Sequence, residues 1–478
     1  MGDTPMLERL PMTRLHALDA TAMLAGYASG DFTPRDVIES LNAHVTQWEP
    51  HLCALYAWEP ERALAEAVAS TERWRKGEPQ GALDGVPATV KELIATEGHP
   101  IPLGTAALES APATTDAPCA ARLREAGAII FAKTTIPDFG MLSSGLSSFH
   151  HLARNPWDLS TNPGGSSAGA AAAAAACYGP LHVGTDIGGS VRLPAAWCGL
   201  TGFKPTLGRI PIDPYYTGRC AGPMTRGVAD AALMMATLSL PDSRDATSLP
   251  YEQVDWFAPA EPPAGLRVGL MLDAGCGMPL DPEIAVAIEA AARIFEDAGA
   301  VIVPVSPVMN QAILDGVDVF WRAKFWGDIK DLDESKRSLV LPYIMEWARG
   351  GEDVSGVEAV RGFNRTFELR ATCAELFDSV DVIISPVTPN VSFPADWASP
   401  LNDPARPFDH CAWTLPWNMS EQPAISVNCG FSQEGTPIGL QIVTSRFKDL
   451  LALQLAGWFE SRCGRVERWP GEADSSPT

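Results

Sequence analysis

The sequence predicts an α/β fold in which one large, mixed and twisted β-sheet is covered by helices on both sides. Short apolar segments typical of buried strands alternate with amphipathic segments typical of helices. Hydrophobic residues make up 46% of the 478 residues, enough for a large core. Because no repeat or long linker divides the chain, we expect residues 1–478 to form a single domain.

The elements that support this prediction follow in order. Residues 15–80 are predicted to be helical, and one helix begins with Thr33 as N-cap and Pro34 in its first turn. Another begins at Asp281-Pro282 and ends near Gly299. Buried strands are predicted at 126–132, 181–185, 266–272, 301–305, 381–385, 424–428 and 439–443. The Pro/Ser-rich segments 241–263 and 386–408 are expected to be surface excursions, and the tail after Trp469 to be frayed.

Charge and composition exclude several classes of protein. The net charge of −23 repels phosphate backbones, argues against a nucleic-acid partner and favours neutral or cationic substrates. No apolar run reaches the ~18 residues of a membrane span, and the first fourteen residues lack a secretory apolar region, so we expect a cytoplasmic location. The ten cysteines form neither a CxxC pair nor a Cys/His cluster, so they are expected to be reduced, with no metal site and no cofactor. The sequence leaves a homodimer open.

Three glycine-containing segments carry the candidate chemistry. Residues 162–169 (NPGGSSAG) are followed by alanines up to Cys177, which by themselves fit a helix start capped by serine. No Gly-Lys-Ser/Thr follows at the spacing of a phosphate-binding loop. Residues 184–192 (GTDIGGSVR) place Ser190 behind two glycines, where neighbouring backbone N–H groups can converge as an oxyanion hole requires. Lys91 ends an apolar run that begins at Gly85-Val86-Pro87.

Together the three segments resemble the amidase signature family. Its pattern joins G-V-P-x-x-x-K, P-G-G-S-S-G-G and G-T-D-x-G-G-S-x-R-x-P, and here 75 residues separate Lys91 from Ser166 and 24 separate Ser166 from Ser190. The resemblance spans roughly residues 15–460, with the signature core at about 80–210. Weaker family features occur at 155–157, 202–206, 422–426 and 437–441.

The resemblance implies a role for each matching residue. Ser190 is the expected nucleophile, Ser166 the relay in a cis peptide, and Lys91 the base. The expected oxyanion hole comprises Ile187, Gly188, Gly189 and Ser190. Supporting roles are expected for Ser167, Asp186 and Arg192. The family often has glycine where this chain has Ala168, and its usual third serine is replaced by Ala170.

The chemistry expected of these residues is hydrolysis of amide-type C–N bonds. The histidines lie outside all three segments, which argues against a Ser-His-Asp triad. A lysine base must be neutral, and its apolar neighbours would lower its pKa by desolvation. Ser166 would then pass the proton of Ser190 to Lys91 and later return it to the leaving amine.

The expected substrate is a small amide or carbamate. Gly140, Met141, Leu142 and Ser143 lie where family members line the acyl side. An aromatic mouth is predicted from Tyr215, Tyr216, Phe320, Trp321, Phe325 and Trp326, although these residues also fit an ordinary core. Such a mouth would suit aryl amides, anilides or aryl carbamates, and the chain most resembles the aryl acylamidase and urethanase branch.

Three alternatives remain open from the sequence. The chain could be the glutaminase subunit of a tRNA-dependent amidotransferase, which works only inside a complex. It could be an enzyme that prefers esters, because the same residues cleave esters more easily. An inactive scaffold protein is disfavoured by the intact set of Lys91, Ser166 and Ser190.

Overall fold

The computed structural model describes residues 12–259 and 265–464, together with 466, 469 and 470. Most of the N-terminal segment before Leu15 and, apart from Pro470, the tail after Trp469 lie outside the described residues. The predictions for those two ends are therefore not addressed by the structure.

The centre of the fold is an eleven-stranded sheet. Its strands are β1 Leu55–Tyr56, β2 Pro87–Lys91, β3 Ile129–Thr134, β4 Leu181–Asp186, β5 Thr201–Lys204, β6 Cys220–Thr225, β7 Arg267–Leu270, β8 Val301–Pro304, β9 Val382–Pro386, β10 Ala424–Phe431 and β11 Pro437–Thr444. Their order across the sheet is β1-β3-β2-β4-β6-β5-β10-β11-β9-β7-β8. Pairing is parallel among β3, β2 and β4 and among β8, β7 and β9, and antiparallel elsewhere, so the predicted mixed sheet is confirmed.

Helices lie between the strands along the chain. They are α1 Ala20–Ser29, α2 Pro34–Leu52, α3 Pro60–Lys76, α4 Pro118–Glu125, α5 Ala168–Ala175, α6 Arg192–Trp197, α7 Val228–Leu238, α8 Pro282–Asp297, α9 Gln311–Ile329, α10 Glu334–Arg337, α11 Pro342–Arg349, α12 Gly356–Ser379, α13 Leu415–Met419 and α14 Asp449–Cys463. Short 3-10 helices occupy Met12–Ala17, Asp138–Gly140 and Asp409–Trp413.

Both faces of the sheet are buried, as the α/β prediction requires. In β9, Val382 and Ile384 pack into one apolar cluster, whereas Ile383 between them packs into another on the opposite face. This alternation follows from the two-residue period of a strand. Helices therefore have apolar surface to cover on each side, which agrees with the predicted layers.

The helix starts agree closely with the predicted signals. Thr33 caps α2 through a capping box with Asp36. Asp281 caps α8 by accepting a hydrogen bond from the backbone N–H of Glu283. In both helices proline occupies the first turn, where its missing N–H costs nothing.

Several predicted boundaries are wrong; for example, the strand predicted at 424–428 continues to Phe431. The segment 15–80 is not wholly helical, because Leu55–Tyr56 pairs with β3 at the sheet edge. The strand predicted at 126–132 begins only at Ile129, because Ala126 ends α4 and Gly127 turns the chain with φ of +85°. A left-handed residue of this kind commonly follows a helix and is most easily glycine.

The structure bears on two compositional predictions. The ten cysteines are free thiols. In the described part of the chain, no helix is both long enough and apolar enough to span a membrane.

Candidate active site

The sheet brings the three glycine-containing segments together. Strands β2 and β4 are parallel neighbours, with Val90 opposite Val183. Their carboxyl ends therefore meet at one edge, where β2 ends at Lys91 and β4 at Asp186. Helix α5 contacts both strands and begins at Ala168, immediately after Ser166 and Ser167.

Lys91 is fully buried and makes three contacts through its amine. The Nζ atom lies 2.8 Å from Ser166 Oγ and 3.0 Å from Thr185 Oγ1. The carbonyl oxygen of Thr185 is 3.4 Å away. No carboxylate of the described residues forms an ion pair with this amine. The lysine is thus held by neutral oxygen atoms at the floor of the site.

The surroundings of Lys91 favour its neutral form. Burial, assisted by the nearby positive charge of Arg219, lowers the pKa of Lys91 to about 7. The negative charges of Asp186 and Glu92 act in the opposite direction without overcoming burial. A lysine with this pKa is half deprotonated near neutral pH.

The serine pair is positioned by close backbone packing. The Gly165–Ser166 peptide bond is cis. A Cβ on Gly165 would lie 2.5 Å from the backbone nitrogen and oxygen of Ser144, so only glycine fits there. Ser167 is buried, and its hydroxyl donates to the Thr185 carbonyl and accepts from the Thr185 N–H, each at 3.3 Å. Ser167 therefore fastens the start of α5 to the end of β4.

The turn that carries Ser190 also depends on glycine. Gly189 has φ of +127°, and a Cβ there would lie 2.5 Å from Thr414 Oγ1. That hydroxyl donates to the Gly188 carbonyl at 2.5 Å, which pins the turn from the far end of the chain. Ser190 is only partly buried, and its hydroxyl makes no hydrogen bond to a described residue. Its hydroxyl is thus available to a substrate.

Asp186 and Arg192 form a buried ion pair behind this turn. Both side chains are fully buried, and the Arg192 guanidinium contacts both carboxylate oxygens at 2.9 Å. Burial alone would raise the pKa of Asp186, but the charge and hydrogen bonds of Arg192 outweigh it and hold that pKa well below its usual range. The same carboxylate accepts the backbone N–H groups of Gly189 and Val191.

Distant residues complete the network around this pair. Arg192 also donates to Gln441 Oε1 at 2.7 Å and to Asn418 Oδ1 at 2.6 Å. The Asn418 amide nitrogen donates back to Asp186 Oδ1 at 2.8 Å. Buried charges are tolerated when each is paired and hydrogen-bonded in this way. The network fixes the backbone from which Ser190 projects.

The backbone N–H groups of the four expected oxyanion-hole residues are not all free to bind an oxyanion. The Gly189 N–H is already used by Asp186 at 2.8 Å. Across the described ranges, the N–H groups of Ile187, Gly188 and Ser190 donate to no protein acceptor. These three groups lie on the turn of the nucleophile and remain available to an oxyanion.

Ser166 and Ser190 line one cavity of about 350 Å³. The seven residues predicted to bind substrate all belong to its wall: Gly140, Met141, Leu142, Ser143, Tyr215, Tyr216 and Trp321. The remaining wall is formed by Leu93, Phe139, Thr185, Ile187, Gly188, Pro214, Arg219, Lys324, Phe325, Phe408 and Cys411. This volume and its aromatic lining suit a small organic ligand.

The structure brings some residues of the predicted aromatic mouth to the cavity and not others. Trp321 and Phe325 lie one helical turn apart on α9 and both line the cavity. Neither Phe320 nor Trp326 belongs to the described wall of the cavity: Phe320 packs against Phe363 on α12, and Trp326 packs against the apolar cluster around Trp347. Their different directions follow from the 3.6-residue period of the helix, which separates neighbours by about 100°.

Several site residues were not predicted from the sequence. Thr185 could have been found, because it lies inside the segment 184–192 that carries the nucleophile. Arg219, Phe408 and Cys411 had no local signal. They reach the cavity only because β6 and the 3-10 helix Asp409–Trp413 pack beside the nucleophile turn.

The described part of the protein contains no set of side chains placed to bind a metal ion. No group of three His, Cys, Asp or Glu side chains there is placed to hold a metal ion. No histidine belongs to the described wall of the cavity. The titratable residue that contacts Ser166 is Lys91, and Ser166 lines the same cavity as Ser190. This geometry fits a lysine-assisted serine hydrolase.

Comparison with known proteins supports this class. Residues 36–453 match the model of the Amidase family. An acylamidase from Rhodococcus erythropolis is 34% identical over 474 residues, covering 97% of this chain and 98% of the relative. A glutamyl-tRNA(Gln) amidotransferase subunit from Chloroflexus aurantiacus is also 34% identical, covering 96% and 98%. A solved bacterial aryl acylamidase of the amidase signature family has a TM-score of 0.88 at 27% identity, covering 96% and 99%.

The chain therefore belongs to the amidase signature family of hydrolases that act on amide C–N bonds. The fold predicted from the alternation of strands and helices is confirmed. The family predicted from the three glycine-containing segments is confirmed as well.

Proposed function

We propose that this protein hydrolyses aryl amides, anilides and aryl carbamates through an acyl-enzyme on Ser190. Ser166 relays the proton and Lys91 is the base, which gives a Ser-Ser-Lys triad. The observation that carries the proposal is the 2.8 Å separation between Lys91 Nζ and Ser166 Oγ. Ser166 and Ser190 line the same cavity.

The contacts of Lys91 suit a neutral amine. A neutral amine has two N–H donors and one lone pair, and Thr185 offers two acceptors, its hydroxyl and its carbonyl oxygen. When both N–H groups point to Thr185, the lone pair faces Ser166. The Ser166 hydroxyl can then donate to Lys91 and accept a proton from Ser190.

The reaction proceeds in two halves. Ser190 Oγ bonds to the substrate carbonyl carbon while its proton passes through Ser166 to Lys91. The C–N bond then breaks, and the leaving nitrogen takes a proton back along the same path. Water deprotonated by the same relay hydrolyses the Ser190 ester, which releases the acid and restores the free serine.

The turn before Ser190 stabilises the charge that develops on the carbonyl oxygen. The available N–H groups of Ile187, Gly188 and Ser190 are donors on a backbone that Thr414 and Asp186 already fix. Donors held in place before the reaction cost no reorganisation, and each is worth about 3 kcal/mol in comparable sites.

The wall of the cavity favours an aromatic group on the substrate. Phe139 contacts Phe325 with ring centroids 4.9 Å apart, and Trp321 contacts Phe408 at 5.0 Å. Such edge-to-face pairs form an apolar wall on which another ring can pack. The similarity to a solved bacterial aryl acylamidase supports this preference.

A direct test combines a variant, a probe and matched substrates. Ser190→Ala should fold normally and lose more than about 100-fold in kcat, equivalent to more than ~2.7 kcal/mol. A fluorophosphonate should label wild-type Ser190 and no other residue. Retention of more than a hundredth of the activity, or labelling elsewhere, would overturn the assignment. Ser29→Ala, at the end of α1, is the matched control.

The substrate class is tested separately with an anilide, an aryl carbamate and an aryl ester that carry the same aryl group. We expect turnover of the anilide and the carbamate by the isolated chain. A chain that is inert on all three but becomes active with an added partner protein would instead be a subunit of an amidotransferase. The Chloroflexus aurantiacus relative is such a subunit. A chain that cleaves only the ester would be an esterase.

A further inference from the structure

Arg219 is a cation in the cavity wall whose side chain has no partner among the described residues. It precedes β6, and its side chain is partly buried. Its Nε atom is buried and has no hydrogen-bond acceptor, and no described carboxylate forms an ion pair with it. Asp245 and Asp213 are the carboxylates with the largest effect on the pKa of Arg219, and neither forms an ion pair with it. A buried guanidinium nitrogen without an acceptor is costly.

Arginines that are buried more deeply than Arg219 are satisfied by ion pairs within the protein. Arg192 pairs with Asp186 at 2.9 Å. Arg209 contacts Glu252 at 2.9 Å and Asp449 at 3.3 Å. Against this pattern, the unpaired guanidinium of Arg219 indicates a partner that arrives with the ligand.

The rest of the cavity adds no compensating negative charge. Its described wall contains Arg219 and Lys324 but no aspartate or glutamate, although acidic residues outnumber basic ones 58 to 35 in the chain. Lys324 is already neutralised by Asp328, 2.5 Å away outside the wall. Arg219 therefore gives the cavity a local positive charge within a strongly acidic protein.

A second unpartnered donor lies on the same loop. The Tyr216 hydroxyl is buried and has no hydrogen-bond partner among the described residues. The backbone N–H of Arg219 donates to the Tyr216 carbonyl at 3.0 Å, which holds the two residues on one turn. In the antiparallel register Cys220 lies opposite Asp186, which places Arg219 beside Ile187 at the start of the nucleophile turn. A group bound by this loop would therefore lie next to the reacting carbonyl.

We propose that Arg219, assisted by Tyr216, binds a carboxylate on the substrate, so that the preferred substrates are amides or carbamates bearing a carboxylate near the scissile bond. A carboxylate matches the fork of a guanidinium and accepts the phenol proton as well. This inference rests on the proposed hydrolase function and narrows its substrate class. Net charge alone would favour neutral or cationic substrates. A carboxylate is preferred here because the nearby positive charge of Arg219 acts on it more strongly than the distant acidic surface.

The test compares pairs of substrates that differ only in this charge. The acetamidobenzoates carry the carboxylate on the amine side and succinanilate carries it on the acyl side; each is paired with its neutral carboxamide. For at least one pair, wild-type kcat/KM should favour the carboxylate by about 10-fold or more, as expected for a charge-assisted bidentate contact. Arg219→Met should lower this ratio by about 10- to 100-fold, and Tyr216→Phe by less.

The ratio within each pair cancels any general damage to the enzyme. Arg219→Lys, which keeps the charge but loses the fork, should retain an intermediate ratio. Arg361→Met removes an exposed positive charge from α12 and should leave the ratio as in wild type. A wild type without preference in any pair, or an unchanged ratio in Arg219→Met, would overturn the inference. If Ser190→Ala were still active on both members, the proposed function would fail instead.

Discussion

Replacing Lys91 with methionine should make the protein more stable at neutral pH while removing its activity. Lys91 is fully buried, and methionine has a similar length and needs no solvation. The variant therefore keeps the packing of the site but removes an amine that the fold must bury. Active sites commonly carry such a cost to stability.

The size of the effect follows from the pKa of Lys91. Burial lowers it from 10.5 to about 7, and at ~1.4 kcal/mol per pH unit this difference corresponds to roughly 5 kcal/mol. The unfolded chain binds more protons between these two values, so wild-type stability rises with pH across this range and the full penalty applies below pH 7. The contacts to Ser166 and Thr185 offset part of it, at about 1 kcal/mol each. We expect Lys91→Met to gain about 1–3 kcal/mol at pH 7.

The assay is the difference in Tm between variant and wild type from pH 6 to pH 10. The variant should melt higher at pH 6–7, and its advantage should shrink as the pH rises towards 10. Lys76→Met, at an exposed position of α3, should show no such trend. A Lys91→Met protein that melts lower at pH 7, or a difference independent of pH, would refute the reasoning.

Three further predictions concern the support of the site. Asp186→Asn leaves the buried Arg192 without its counter-ion and should destabilise the fold by about 3–5 kcal/mol in thermal unfolding; a loss below about 1 kcal/mol would show that the pair is dispensable. Thr185→Val removes the 3.0 Å contact to Lys91 and should lower kcat about 10-fold with little change in Tm, whereas an unchanged kcat would remove Thr185 from the machinery. EDTA should leave activity unchanged, because no metal-ligand cluster exists among the described residues, and a loss restored by zinc would contradict this.

The parts of the fold with strong local signals were predictable. Thr33-Pro34 and Asp281-Pro282 define helix starts through capping, which depends on only a few adjacent residues. The three glycine-containing segments could also be recognised from the sequence. Close contacts at Gly165 and Gly189 leave no room for a side chain, so glycine is required there and marks the segments. The family follows from their order and spacing.

The remaining features depend on contacts between distant parts of the chain. Thr414, Asn418 and Gln441 stabilise the nucleophile turn from more than 200 residues away, and their local sequence gives no indication of this role. Strands β5 and β6 are short and contain glycine, so their apolar pattern is weak. The free guanidinium of Arg219 can be recognised only once its surroundings are known.

The pH dependence of kcat/KM tests the central claim most directly, because it reports the protonation of the free enzyme. On a neutral anilide, wild-type kcat/KM should rise with an apparent pKa near 7, the value to which burial lowers the pKa of Lys91. Lys91→Ala should lose most of the activity together with this rise, and Lys91→Arg should not restore it, because a guanidinium stays protonated. Near-normal activity in Lys91→Arg, or the same rise in Lys91→Ala, would show that Lys91 is not the base.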